Sequence, residues 1–415
     1  MTLRRHLWPL ALLPLLACAG QDRAPTAAAP SRQAVMDGAL RQQVEAGKVA
    51  AIAAIVIRAD GEVLYEGFAG GANPDSLFRL ASMTKPVTSV AVMTLVEDGR
   101  LRLDDPLAKH LPEFRGLRLR EANGRLVAAR QPTIRDLLRH MGGFSYSFLN
   151  VPGIVEAYAR EGVDDGLAAP TRTTRENMRR LARAPLQAQP GTVWAYSLAT
   201  DVLGAVVERV TGQPFDAYVQ ERIAGPLRMT SFAFRVPEAS RPRMVTAMQP
   251  ADGGLRPIRS GERVPYPLTR GTWVSDPERA FSRTAYPSGG AGATATLGDY
   301  ARFTRMLLNG GELDGVRILR PETVAEMTRG QTGGLPIPLR GSGYDFGYGF
   351  SVVTDPAAAK TRQPVGTYGW GGIYGTGFVV DPANRLATIV MTQTATNGGA
   401  AANEVREAFY STMTQ

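Results

Sequence analysis

Three side-chain types that carry much of protein chemistry are scarce in this chain. Its 415 residues hold one cysteine, three histidines and four lysines. A single cysteine, Cys18, has no partner for an intrachain disulfide. Beyond the N-terminal segment only His110 and His140 remain, too few for a metal site built from His and Cys, so neither metal nor cofactor is expected. A Ser-His-Asp triad would have to use one of these two. "LAKHLPEF" and "LLRHMGGF" place both at helix ends or in loops, and neither reads as a catalytic base. No Gly-x-Ser-x-Gly occurs, which excludes the nucleophile elbow of an α/β-hydrolase. Walker and dinucleotide glycine motifs are also missing.

What is abundant is ordinary. The chain is 44% hydrophobic and 20% charged, enough apolar material for a large core. The net charge of +9 is carried almost entirely by arginine. Arg115, Arg118, Arg120, Arg125, Arg130, Arg135 and Arg139 are its densest run. No RNA- or DNA-binding motif accompanies them, so they read as a solvated basic face and no nucleic-acid partner is expected.

The N-terminus reads as an export address. "MTLRRHL" is basic, and "LWPLALLPLLA" is an apolar core too short to remain as a membrane span. It ends in Leu15, Leu16, Ala17 and Cys18, which resembles a bacterial lipobox and implies a lipid anchor on Cys18. Ala17, Cys18 and Ala19 also satisfy the small-residue rule for simple signal cleavage, and the two readings stand side by side. Residues 1–18 are thus expected to be a signal peptide and 19–33 a Pro/Ala-rich tether. The protein is expected to be periplasmic, or anchored at the outer membrane of a Gram-negative-type bacterium.

Residues 34–415 read as one α+β unit: an antiparallel sheet flanked by helices, with a mainly helical insertion. The α/β lobe is expected at about 34–80 and 286–415, the helical lobe at about 81–285. A helix from Ala34 to about Val49 precedes two strands joined at Asp60-Gly61, a hairpin signal. "TIRDLLRHMGG" and "DVLGAVVERVTGQPFDAYVQERI" read as helices. The stretch from about Thr230 to Pro287 has little periodicity and much Pro, Gly and Arg, the mark of a long loop over a binding site. Thr296 and Asp299 form a capping box before an apolar stripe. Four short strands and a final helix follow.

Against this background "FRLASMTKPVTSVAVMTLVEDGRL" stands out. Pro86 fits only the first turn of a helix, so a helix starts near Met83 with Ser82 at its N-terminus. Lys85, one of only four lysines, lies three residues on, within reach of the Ser82 hydroxyl on the same face. Buried, its amine would have a lowered pKa and could serve as a base. In "PGTVWAYSLATDVLG", Tyr196 falls where another helix begins, and a phenol near an ammonium can shuttle a proton. In "YGWGGIYGTGFVVDP", closely spaced glycines in a strand pattern imply close approach to the backbone. Each element alone has a plain structural reading: a surface Ser and Lys at a cap, a buried Tyr, a glycine-rich bend.

In this order the three elements resemble the serine β-lactamase and penicillin-binding-protein superfamily, in its class C-like branch. "LFRLASMTKPVTSVAVMTLVEDGRLRLDDPL", "LLRHMGGF", "PGTVWAYS" and "GGAGATATLGDYARFTRMLLNGGELDGVRIL" add to the likeness. The resemblance implies that Ser82 is the nucleophile, with Lys85 and Tyr196 as its catalytic partners. It implies an oxyanion hole from the backbone N–H groups of Ser82 and Ile373. Two departures stand out. Leu198 occupies the place of an asparagine, and Trp370, Gly371 and Gly372 replace the Lys-Thr-Gly of the edge strand. Without that lysine a substrate carboxylate loses its cation there. These four residues would instead contact substrate, as in family VIII carboxylesterases, which have similar triplets. The implied function is an exported serine hydrolase that cleaves small-molecule carboxylic esters through an acyl-enzyme on Ser82, with a Tyr196 phenolate, favoured by Lys85, as base. β-Lactam, peptide or amide hydrolysis, or acyl transfer, at the same site are alternatives. A non-catalytic envelope binding protein is the reading from another class.

Overall fold

In the computed structural model, which describes Thr2 and residues 31–413, the two ends of the chain build one sheet. β1 (Ile52–Arg58) and β2 (Val63–Ala69) form the expected hairpin. β3 (Tyr344–Phe346), β4 (Ser351–Val353), β5 (Tyr368–Gly371), β6 (Gly377–Asp381) and β7 (Leu386–Thr392) complete it. The order is β3-β4-β5-β6-β7-β1-β2, with every neighbour antiparallel. The register of the central pair runs from Ile52 opposite Thr392 to Arg58 opposite Leu386.

β1 is buried from Ile52 to Ile57, because both faces of the sheet are covered. Ile52, Ala54 and Val56 pack with Met36, Leu40, Val405 and Phe409 from α1 (Arg32–Glu45) and the last helix, α5 (Gly398–Ser411). The alternate residues Ala53, Ile55 and Ile57 face the main core, with Val87, Val90, Phe303 and Met306. This is strand periodicity serving two layers at once. On that second face lie α2 (Thr84–Glu97) and α4 (Leu297–Leu308). α2 is buried continuously from Thr84 to Leu95, which explains why its sequence has no polar face. The Thr296–Asp299 capping box starts α4, each residue's side chain bonding the other's backbone N–H.

Several expectations need correction. The helix read through "DVLGAVVERVTGQPFDAYVQERI" is broken: α3 (Ala199–Thr211) stops at Gly212, whose φ of 75° is left-handed, and Pro214 prevents its continuation. "TIRDLLRHMGG" supplies only a short helix, Ile134–Leu138. "YDFGYGFSVV" is two strands, β3 and β4, around a turn at Gly349. The supposed long loop contains two hairpins, Met248–Ala251 with Gly254–Pro257 and Glu262–Pro265 with Thr272–Ser275. α1 takes in Arg32 and Gln33, although the expected tether runs to residue 33. Cys18 and the expected signal peptide lie outside the described residues, Thr2 excepted.

Within the basic stretch, Arg125, Arg130, Arg135 and Arg139 pair with Glu121, Asp136, Asp104 and Asp136. Among the described residues no helix is long and apolar enough to cross a membrane.

Candidate active site

Ser82 sits where a strand turns into a helix. Phe78–Arg79 pairs with Thr294–Ala295, and a single 3₁₀ turn, Ala81–Met83, leads directly into α2. Ala81 has φ 44°, the left-handed region that non-glycine residues avoid. This sharp reversal exposes Ser82 to the cleft while its neighbours Ala81 and Met83 are buried. One turn later Lys85 is 1% exposed. Its Nζ donates to Ser82 Oγ at 3.1 Å and to the Gly290 carbonyl at 2.7 Å.

Tyr196 arrives from the other side, two residues before the N-cap of α3, and its hydroxyl donates to Ser82 Oγ at 2.6 Å. Its ring is held by aromatic neighbours: His140, Tyr146 and Trp370 lie 4.9, 5.2 and 5.4 Å away, centroid to centroid. Lys85 Nζ lies 4.7 Å from the Tyr196 centroid and 5.1 Å from that of Tyr146. The residues expected to converge therefore do so: a hydroxyl, an amine and a phenol meet at one oxygen.

The edge strand closes the site. Trp370, Gly371, Gly372 and Ile373 line the cleft with Ser82 and Tyr196. The turn beyond β5 is tied to the Ser82 loop, since Thr376 Oγ1 donates to the Leu80 carbonyl at 2.9 Å. Gly372 is required here by close approach. A Cβ on it would stand 2.3 Å from the Leu80 oxygen and 2.4 Å from Thr376 Oγ1. Gly372→Ala is therefore expected to push the edge strand off the Ser82 loop and lower kcat for any reaction at Ser82 roughly 100-fold. Steady-state kinetics beside a thermal melt would check it, and wild-type kcat in the variant would refute the tight contact.

Leu198 is not brought to the cleft. It is completely buried at the start of α3, its N–H bonded to the Ser145 carbonyl at 3.2 Å. Sequence reasoning missed the rest of the cleft wall. Tyr146 and Phe148 come from the segment after "LLRHMGGF"; Tyr266 and Leu268 come from the loop of the second hairpin, between Pro265 and Thr272. Leu268 is 63% exposed at the cleft mouth. The composition of that stretch pointed to a site cover, but not to these side chains. The cleft encloses about 380 Å³.

Burial dominates the electrostatics. Desolvation brings the Lys85 amine down to about 7, against the opposing fields of Asp201 and Asp165. The same cause pushes the Tyr196 phenol up, only partly offset by its bond to Ser82. Burial thus favours the neutral amine and the protonated phenol, opposite in direction to the phenolate expected from the sequence. Asp201, which accepts from Ser288 Oγ at 2.6 Å, is raised to about 6 by burial. His140 is driven well below its usual value by burial and by Lys85, so it packs as a neutral ring. His110 is engaged with Asp105 at 2.9 Å. Among the described residues no cluster of three or more His, Cys, Asp or Glu is placed to hold a metal ion.

The family model described as Beta-lactamase matches residues 36–410. Esterase EstB of Burkholderia gladioli is 41% identical over 391 residues, covering 91% of this chain and 94% of that protein. Protein Rv1367c of Mycobacterium tuberculosis is 36% identical over 340 residues, covering 77% and 78%. Among solved structures, EstCE1, a hydrolase with promiscuous acyltransferase activity, superposes with TM-score 0.82 at 32% identity, covering 91% of this chain and 97% of that one. The unliganded selenomethionyl simvastatin synthase LovD of Aspergillus terreus shares the fold, with TM-score 0.73 at 22% identity, covering 93% and 100%.

Proposed function

Since the chain belongs to the beta-lactamase family of serine hydrolases, we propose that it cleaves small carboxylic esters through an acyl-enzyme on Ser82. The observation that carries this reading is the convergence of Lys85 Nζ and Tyr196 OH on Ser82 Oγ. Lys85, neutral above about pH 7, takes the Ser82 proton as Oγ attacks the ester carbonyl. The oxyanion rests on the backbone N–H groups of Ser82 and Ile373. Tyr196 gives its proton to the departing alkoxide, and the Lys85 ammonium restores it, so the serine proton leaves with the alcohol. Water then repeats the sequence in reverse roles and releases the acid. Trp370, Tyr146 and Phe148 give the cleft an apolar wall for the acyl or alcohol part.

The base assignment has a pH signature. Protonated Lys85 cannot accept the serine proton, so kcat/KM should fall about tenfold per pH unit below about 7 and level off above it. A profile flat from pH 5 to 8 would remove Lys85 as base.

The N-terminal address supports export, and the Leu-Leu-Ala-Cys ending supports lipid anchoring on Cys18. Cys18→Ser should then move the protein from the membrane fraction to the soluble one on detergent-free fractionation. Equal membrane retention of both forms would rule the anchor out.

A further inference from the structure

Among the described residues Asp165 is the one acidic side chain that lines the cleft, and the mechanism above does not use it. The loop after the helix Ile154–Glu161 fixes its place. On one side Asn177 Oδ1 accepts from the Asp164 N–H at 2.9 Å, and Asn177 Nδ2 donates to the Asp164 carbonyl at 3.0 Å. On the other side Gly166 takes a φ of 80°, and its N–H donates to Asp164 Oδ1 at 2.9 Å. Asp165 Oδ1 accepts from the Ser147 N–H at 3.1 Å. Among the described residues no arginine or lysine pairs with Asp165. Arg279 lies toward Asp164 instead, at 3.9 Å. Arg263 and Arg270 share with Asp165 a second cavity of about 300 Å³, yet form no ion pair with it. Burial pushes the Asp165 carboxyl up to about 7, with the Ser147 N–H opposing and the charge of Asp164 adding. The side chain is near enough to the reacting groups for its charge to act on Lys85.

The same cleft is lined by a continuous run of aromatic rings. Tyr146 and Phe148 stack at 4.7 Å, centroid to centroid, and Phe148 meets Tyr266 at 4.9 Å. Ring faces attract cations, most strongly where water is excluded. A carboxylate drawn out of water without a cation is costly, and a ligand cation would relieve that cost. Lys85, neutral above about pH 7, does not oppose a second cation there. A carboxylate and aromatic faces lining one cleft match an alkylammonium, which is weakly hydrated and carries its charge over methyl or methylene groups. We infer that Asp165, with Tyr146, Phe148 and Tyr266, forms an alkylammonium subsite, and that the ester hydrolysed at Ser82 carries a cationic amine in its acyl or its alcohol part. The inference rests on the ester-hydrolase reading above.

The test uses the purified full chain and two pairs of isosteres that differ only in nitrogen against carbon. One pair is acetylthiocholine and S-(3,3-dimethylbutyl) thioacetate. The other is the p-nitrophenyl esters of 4-(trimethylammonio)butyrate and 5,5-dimethylhexanoate. In at least one pair the ratio of kcat/KM, cationic over neutral and each corrected for its uncatalysed rate, should exceed roughly ten in wild type. It should fall roughly tenfold in Asp165→Asn and about threefold in Tyr266→Leu, with the loss on KM. If Asp165 served only to tune Lys85, both members of a pair would change alike and the ratio would hold. Tetramethylammonium chloride should inhibit wild-type hydrolysis of p-nitrophenyl butyrate competitively, beyond sodium chloride at equal ionic strength, and less so in Asp165→Asn. If Asp165→Asn does not fold, Tyr266→Leu and wild-type inhibition carry the test. Wild-type ratios near one in both pairs, ratios unmoved by the variants, or a wild type indifferent to tetramethylammonium overturn the subsite. Failure of wild type to hydrolyse p-nitrophenyl butyrate in a Ser82-dependent way would instead overturn the reading beneath it.

Discussion

Ser82→Ala should abolish ester turnover, with kcat falling roughly 10⁵- to 10⁶-fold, because Ser82 Oγ is the oxygen on which Lys85 and Tyr196 converge. Ser82 Oγ is the shared acceptor for the amine at 3.1 Å and the phenol at 2.6 Å. Removing it leaves both groups in place with nothing to activate. Lys85 keeps the Gly290 carbonyl, and Ser82 itself is only half-buried, so folding should be unaffected. The decisive comparison sets a short-chain chromogenic ester beside a chromogenic cephalosporin, for wild type and variant. Ester turnover should exceed cephalosporin turnover in wild type, since the edge strand Tyr368–Gly371 offers no cation to a β-lactam carboxylate. The opposite ranking would make the protein a β-lactamase. Turnover surviving in Ser82→Ala would displace the nucleophile.

Lys85→Met is expected to separate activity from stability. Methionine keeps the length and loses the base, so kcat should drop roughly 10²- to 10⁴-fold. Stability should move the other way. An unfolded lysine holds its proton up to about 10.5, whereas the buried one releases it at about 7. Between these values unfolding takes up a proton, so wild-type stability rises with pH across that window. Below about pH 7 the native state must carry a charged amine in a buried place, which costs it stability. The variant has no such term. It should melt higher than wild type near pH 6, with the gap narrowing as pH climbs toward 10. A variant that melts lower at pH 6 would show that the bonds to Gly290 and Ser82 outweigh the burial penalty.

Much of this site is legible in the sequence. Pro86 fixed the helix start, which put Ser82 and Lys85 in register, and the tight spacing of Gly371 and Gly372 announced a close approach that Leu80 makes real. These are local signals, each contained in a few residues. What escaped was non-local. Tyr266 and Leu268 reach the cleft on a hairpin whose short strands have no clear alternation. Leu198 was misjudged because its place in a motif suggested contact, whereas the turn into α3 points it into the core. The burial that raises the Tyr196 phenol was hidden for a related reason: a neighbouring amine was visible in the sequence, but the depth at which the ring lies was not. The break at Gly212–Pro214 was readable and was overridden by the apolar periodicity on either side.

The pairing of β1 with β7 binds residue 52 to residue 392, so the sheet that carries Trp370 cannot close until almost the whole chain is available. A ribosome that still holds the C-terminus holds back the central strand pair as well, so the cleft beside Ser82 takes shape only at the end of synthesis.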